Sequence, residues 1–386
     1  MKRILRRLPA FILFFVILQS LGAEFFSDGA GSFALDLPEG FTLAASMGNG
    51  ASYLLKSAIL PVELIVRVFA ADQNRGARAA MESVCARLGA QAEPGDFTWQ
   101  GRDCAISRVV MRPAGYTAPQ AGWAVASPLP DTGGAIVCLA YTPAPLIRQT
   151  EQFVLAVLDS LMVDEDSFLS PGPVTAFVFP GKEEKTVTLT IGGRSITAPL
   201  NKGDSEAAAS VIDREFSVLT LYGASPLRDK AWQRYYRQIY RDSYARVHGA
   251  AEAIAAALGG ESRRKSQHEY LLRTLLAWTQ GFAYGRNVNA SDFESLPSIL
   301  EGGASDCDSR SMLLAAILNA AGCRAVMFFS PEYKHAVLGA EVNLRGAKIN
   351  LDGRAYLLGE TTAKVEPGLI PKDMTDTDKW IPVVFP

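Results

Sequence analysis

Two rhythms of apolar residues run along this chain. Between residues 24 and about 165, short alternating or β-rich runs at Phe33 to Leu37, Tyr53 to Lys56, Val62 to Phe69, Cys104 to Met111 and Ala135 to Tyr141 are separated by Gly, Pro and Asn, and predict strands. A helical period over about 75–88 and again over about 145–161 predicts two helices, the second carrying Phe153, Val154, Val157, Leu158 and Leu161 on one stripe. Strands, a helix, more strands and a closing helix predict an α+β unit, an antiparallel sheet covered on one face.

The rhythm breaks at Asp164 to Pro173, where acidic, Ser, Pro and Gly residues without apolar period predict a linker and a boundary near 165–173. Alternation restarts over Lys185 to Ile191 and Ser195 to Pro199 around Gly192-Gly193, which predicts a β-hairpin. Helical periods then follow over about 205–221, 229–258 and 266–282. The long middle one holds Trp232, Tyr235, Tyr236, Ile239, Tyr240 and Tyr244 at helical spacing, a stripe that reads as packing. Residues 287–304, rich in Asn, Ser and Gly, predict an irregular loop leading to Cys307.

Length and composition change this picture little. A chain of 386 residues, 48% hydrophobic and 20% charged, fits two or more globular domains. The formal net charge of −2 leaves no electrostatic footprint for nucleic acid. Lys2, Arg3, Arg6 and Arg7 precede the apolar run Phe11 to Leu18 and the small residues Gly22 and Ala23, the layout of a secretory signal peptide. The mature chain is expected to begin near Glu24 and to be periplasmic or secreted, touching a membrane only through an uncleaved leader. Cysteines at 85, 104, 138, 307 and 323 form no CxxC pair and histidines stand only at 248, 268 and 335, so neither a metal nor another cofactor is expected.

Candidate chemistry gathers around Cys307. Ser305 and Asp306 are good N-cap residues before a helical run ending at Gly322, so Cys307 falls in the first turn, where unpaired backbone N–H groups and the helix dipole favour a thiolate. A buried inert Cys would sit within the apolar stretch Met312 to Leu318 instead. Helix length puts Cys307 and Cys323 about 20 Å apart, too far for a disulfide. Downstream, a strand over Arg324 to Ser330 and a turn at Pro331-Glu332 lead to a second strand on which His335 shares a face with Val337, Gly339 and Glu341. A hairpin signal at Asp352-Gly353 then introduces a strand ending near Glu360. The order is thus a Cys at a helix start, a His on a strand, and a carboxylate on the next.

The segments "DCDSRSMLLAAILNAAG", "KHAVLGAEV" and "GRAYLLGETT" resemble the transglutaminase-like superfamily of papain-fold thiol enzymes, over about residues 266–365. The resemblance implies a Cys307 nucleophile, a His335 base and a third member, Glu360 where the family usually has Asp, with Asp352 at its turn as the rival. It implies attack on an amide of a peptide or protein substrate through a thioester, by hydrolysis or transfer. "WTQGFAY" resembles a stretch upstream of the Cys in some bacterial relatives and offers the Gln280 side chain as an oxyanion donor beside the Cys307 N–H. The segments Ser32 to Phe41 and Tyr141 to Leu161 resemble the PsbP-like α/β sandwich. The expected organisation is a signal peptide at 1–23, a PsbP-like domain at 24–165, a hairpin and helical connecting region at 166–265, and a transglutaminase-like domain at 266–386. The alternative function is a catalytically silent fold of the same type, serving as a periplasmic binding or assembly module.

Overall fold

The computed structural model describes residues 25–28, 31–48, 50–73, 76–181, 183–259, 265–285 and 291–385. The signal-peptide reading and part of the loop over 287–304 lie outside these residues. The chain divides into two compact units, the first reaching to Phe168 and adding Gly172–Pro180 and Thr220–Arg234, the second comprising Leu169–Pro171, Gly181–Leu219 and Tyr235–Pro386. Among the described residues no helix is long and apolar enough to cross a membrane.

In the first unit, β1 (Phe25–Ser27) and β2 (Ala34–Asp36) pair with the later β11 (Leu161–Met162). The main sheet is antiparallel and has eight strands. These are β3 (Phe41–Met47), β4 (Ser52–Ser57), β5 (Glu63–Phe69), β6 (Gln91–Ala92), β7 (Gly95–Trp99), β8 (Arg102–Met111), β9 (Gln120–Leu129) and β10 (Gly134–Pro143). Their order is β3-β4-β5-β10-β9-β8-β6, with β7 on β8. Helix α1 (Ala77–Leu88) lays Met81 and Val84 on Ala105, Val109, Ala124, Ala126, Val137 and Leu139. Helix α2 (Ile147–Asp159) meets residues of the other parity, since Trp123 Nε1 donates to Glu151 at 2.9 Å. Side chains alternate across a strand. The two helices therefore cover opposite faces, which corrects the expectation of one covered face. The central strands are buried on both sides and cannot show a polar face in the sequence.

The segment read as a linker is folded. Ser167 Oγ accepts from the backbone N–H of Val163 at 2.9 Å and Asp164 at 3.0 Å, Phe168 is buried, and a short helix α3 (Pro173–Val178) follows.

The second unit opens with the hairpin β12 (Glu183–Ile191) and β13 (Arg194–Lys202), turning at Gly192-Gly193 with φ of 57° and 76°, as the pattern predicts. Then come α4 (Asp204–Leu219), α5 (Arg228–Ala257, in this unit from Tyr235), α6 (Lys265–Thr279), α7 (Leu296–Leu300) and α8 (Cys307–Ala320). Helix α7, with Pro297 in its first turn and a Ser295 cap, sits inside the stretch read as loop. Strands β14 (Ala325–Ser330), β15 (His335–Ala340), β16 (Lys348–Leu351), β17 (Arg354–Gly359) and β18 (Ile381–Val383) form a five-stranded antiparallel sheet ordered β16-β17-β15-β14-β18. One face carries Val326, Phe328, Val337, Tyr356, Leu358 and Trp380. Helix α8 packs on β14 and β15, and Met312 to Leu318 are fully buried. Both classes of element and the antiparallel pairing make the protein α+β.

Candidate active site

Helix α8 is positioned by its own first turn. Asp306 caps it, accepting from the Ser309 N–H at 2.9 Å and from the Ser309 hydroxyl, while the Asp306 N–H donates to Ser309 Oγ at 3.2 Å. This reciprocal cap fixes Cys307 as the first helical residue, with its N–H among those lacking an intrahelical acceptor. The Cys307 carbonyl is held by Ser311 Oγ at 2.7 Å.

Antiparallel pairing supplies the other two residues. Leu338 lies opposite Gly359, so the start of β15 and the end of β17 come to the same edge, bringing His335 beside Glu360. His335 Nε2 lies 2.6 Å from Glu360 Oε2, and the ring packs 6.4 Å from Trp380. Glu360 Oε1 accepts from the Thr362 N–H at 2.7 Å and hydroxyl at 2.6 Å. Burial would push the Glu360 carboxyl up, but the bond to His335, its charge and the Thr362 donors outweigh that and hold it at about 2. Asp352 is exposed at the β16–β17 turn with φ 51°, at the far end of β17 from Glu360. Its role there is turn geometry.

The thiol belongs to the helix packed on β15, the strand that begins at His335. It donates to Asp308 Oδ1 at 3.1 Å. Cys307 is 3% exposed, and burial, with Asp308 and Asp306, drives the thiol far above its ordinary range. Burial and the Asp308 contact therefore oppose the preference for a thiolate expected of a helix start. All five cysteines are free and buried.

Gln280 is also corrected. Its amide donates to the carbonyls of Glu360 at 2.8 Å and Val365 at 2.9 Å, committing both hydrogens to the loop that carries Glu360. It anchors that loop instead of offering an open oxyanion donor.

Two residues of the site escaped the sequence reading. Arg310 is 1% exposed, and its guanidinium ties Ser305, Thr361, Phe282 and Ala283 together. Tyr236, read as part of a packing stripe, donates to Asp308 at 2.5 Å. Their signal was a pair of charges, Asp308 and Arg310, at the head of a helix otherwise apolar on every side.

Asp306, Cys307 and Asp308 bring one ligand atom each within 4.8 Å of one another, but the carboxylates are engaged by Ser309 and Tyr236, so the trio carries no metal assignment. Burial and then Asp308 push the Asp306 carboxyl well up. A folded pKa above the unfolded one means the native state binds the extra proton, so stability falls as pH rises from about 4 through the folded value. Asn caps helices as well as Asp. Asp306→Asn is therefore expected to flatten the decline and to be more stable than the parent at pH 8, as read by urea unfolding across pH 5–8.

No family model matches the chain, and no curated protein matches it. Among solved structures it is similar to PsbP (CyanoP) of Synechocystis sp. PCC 6803, at 15% identity and a TM-score of 0.30 over 36% of this chain and 92% of that one. It is similar to the Ran-binding protein Mog1p of Saccharomyces cerevisiae, at 11% identity and a TM-score of 0.28 over 36% and 94%. It is also similar to red sea bream transglutaminase, at 11% identity and a TM-score of 0.18 over 84% of this chain and 49% of that one. At these scores the likenesses are weak, and the chemistry rests on the side chains.

Proposed function

We propose that the second unit is a thiol-dependent acyl-transfer centre of transglutaminase-like type, acting on amide bonds of a peptide or protein. Cys307 is its nucleophile, His335 its base and Glu360 the residue that orients the imidazole. One observation carries the reading: a histidine locked at 2.6 Å to a buried carboxylate starts the strand on which the helix that begins with Cys307 packs.

With Nε2 bound to Glu360, Nδ1 is the nitrogen left to take the thiol proton. The thiolate attacks the amide carbonyl, a C–S bond forms, and the Cys307 N–H meets the oxyanion. The imidazolium returns its proton to the amine as the C–N bond breaks, leaving a thioester on Cys307. Water then gives hydrolysis, and a second amine gives transfer. The basic and apolar N-terminus extends the proposal to an exported protein.

A second reading draws on the resting thiol. Its burial and its bond to Asp308 suit a catalytically silent module that binds other proteins. Acyl-enzyme trapping separates the two. The full chain is incubated with glutamine-containing peptides and with a p-nitrophenyl ester, quenched in acid and digested for mass spectrometry. An acyl adduct on the Cys307 peptide, lost in Cys307→Ala, is the expected result. No adduct from either donor would leave the silent module.

A further inference from the structure

The mechanism above leaves one neighbour of the thiol unused. Cys307 Sγ is 3.1 Å from Asp308 Oδ1, and the other oxygen of that carboxylate receives the Tyr236 hydroxyl from α5 at 2.5 Å. We propose that Asp308 is a further catalytic residue: it holds the Cys307 proton in the resting site, clamped by Tyr236, and keeps the nucleophile latent until an acyl donor displaces the Cys307–Asp308 hydrogen bond. This rests on the acyl-transfer reading and adds a step before it.

The geometry is not what a helix start requires. An acidic residue in the first turn ordinarily serves the dipole from solvent. Here the carboxylate is only partly exposed, with one oxygen on the thiol and the other on a tyrosine from another helix. A carboxylate in contact with a thiol favours S–H over the thiolate, because ionisation would place two negative charges side by side. Other charged and titratable groups act on the site. Asp306 lies on the same helix, Asp292 before α7, Tyr235 on α5 and His335 on β15, with Arg310 beside Glu360 and Cys307. Burial first, and then the charge of Asp292, pushes the Asp308 carboxyl up, against the pull of the Tyr236 and Cys307 bonds and of His335.

Proton accounting is simple. At rest the S–H bond is intact and only hydrogen-bonded to Asp308. On activation that hydrogen bond is exchanged for one to His335, the S–H bond breaks, the proton passes to Nδ1, and the sulfur pair forms the C–S bond. Asp308 neither gains nor loses a proton. One acid–base pair keeps the thiol protonated and another ionises it.

The test is iodoacetamide labelling of the full chain from pH 6 to 10, with every cysteine followed by peptide mapping. Asp308→Asn keeps the shape and can still accept from Tyr236, but removes the charge. Cys307 is expected to label about ten-fold faster at pH 7, the factor that one unit of thiol pKa gives, while Cys104, Cys138 and Cys323 stay protected. Tyr236→Phe, which loosens the clamp, should shift Cys307 in the same direction by less. Parental or slower Cys307 labelling in Asp308→Asn, with the other thiols protected, overturns the proposal. If that variant exposes all five thiols, Tyr236→Phe decides, and an unchanged Cys307 rate there overturns it. An acyl-enzyme in the parent together with unchanged Asp308→Asn labelling sinks this inference and leaves the acyl-transfer reading standing. Absence of an acyl-enzyme in parent and variants removes the reading itself.

Discussion

Replacement of His335 by alanine is expected to slow acyl-enzyme formation at Cys307 by about 10²- to 10⁴-fold, the usual contribution of a positioned general base. The size follows from the resting thiol. Burial and the Asp308 contact push the Cys307 thiol up, so attack depends on a base that removes its proton. Asp308 cannot substitute, since it stabilises the protonated form. Glu360→Gln keeps the volume but loses the charge that faces His335 at 2.6 Å, so it should cost less. Quenched-flow trapping with a p-nitrophenyl ester gives both rates, and near-ultraviolet circular dichroism checks the fold. An unchanged His335→Ala rate would show that imidazole plays no part, and would end the thiol–imidazole assignment.

How much of this was legible depended on how each residue earns its position. The places of Cys307, His335 and Glu360 in the fold were readable because each is tied to a local signal. A cap precedes Cys307, a turn precedes His335, and a hairpin sets the strand that ends at Glu360. The hairpin at Gly192-Gly193 was readable for the same reason. Strand β9 was not. Its sequence, "QAGWAVASPL", is dominated by Ala, Gly, Ser and Pro, a composition poor in strand formers. It is a strand because tertiary packing wants small residues: a Cβ at Gly122 would lie 2.0 Å from the Ala140 carbonyl oxygen on the paired strand. The ionisation state of Cys307 was illegible on the same grounds. A helix start is a local feature, whereas the Tyr236-held Asp308 depends on a helix residue 72 positions upstream. Gln280 was seen as a residue of interest and given the wrong partner, since its acceptors, Glu360 and Val365, come from a loop that folds over it.

Arg310→Met is expected to destabilise the protein by about 3–5 kcal/mol, since several oxygens at the meeting of three chain segments lose one donor together. The side chain is 1% exposed, and all its hydrogen bonds described here run to neutral oxygens. Nε donates to Ser305 Oγ at 2.9 Å, one terminal nitrogen to the Thr361 carbonyl at 3.3 Å, and the other to the carbonyls of Phe282, Ala283 and Ser305 at 2.9–3.1 Å. The guanidinium also stacks over Phe282 and Tyr284, at 5.8 and 5.5 Å. Three chain segments meet there: the exit of α6, the residues before Cys307 and the residue after Glu360. Burial pulls the guanidinium down, and the nearby Asp306 pulls it back up. Methionine fills the stem's volume but takes the donor from Ser305 Oγ and from the Phe282 and Thr361 carbonyls, at about 1–3 kcal/mol each before relaxation, while the Ala283 and Ser305 carbonyls keep the Ser305 and Gly285 N–H groups. Lysine keeps the charge but lacks the planar fork, so Arg310→Lys should recover only part of the loss. For a cooperative unit of this size the methionine variant should melt roughly 10 °C lower, at about 2–4 °C per kcal/mol. Differential scanning calorimetry of parent, Arg310→Lys and Arg310→Met gives the order. A methionine variant within about 0.5 kcal/mol of the parent, the range of ordinary surface changes, would mean that water or a shifted loop satisfies those carbonyls without the guanidinium. Arg310 would then not be what joins the strand that ends at Glu360 to the helix that starts at Cys307.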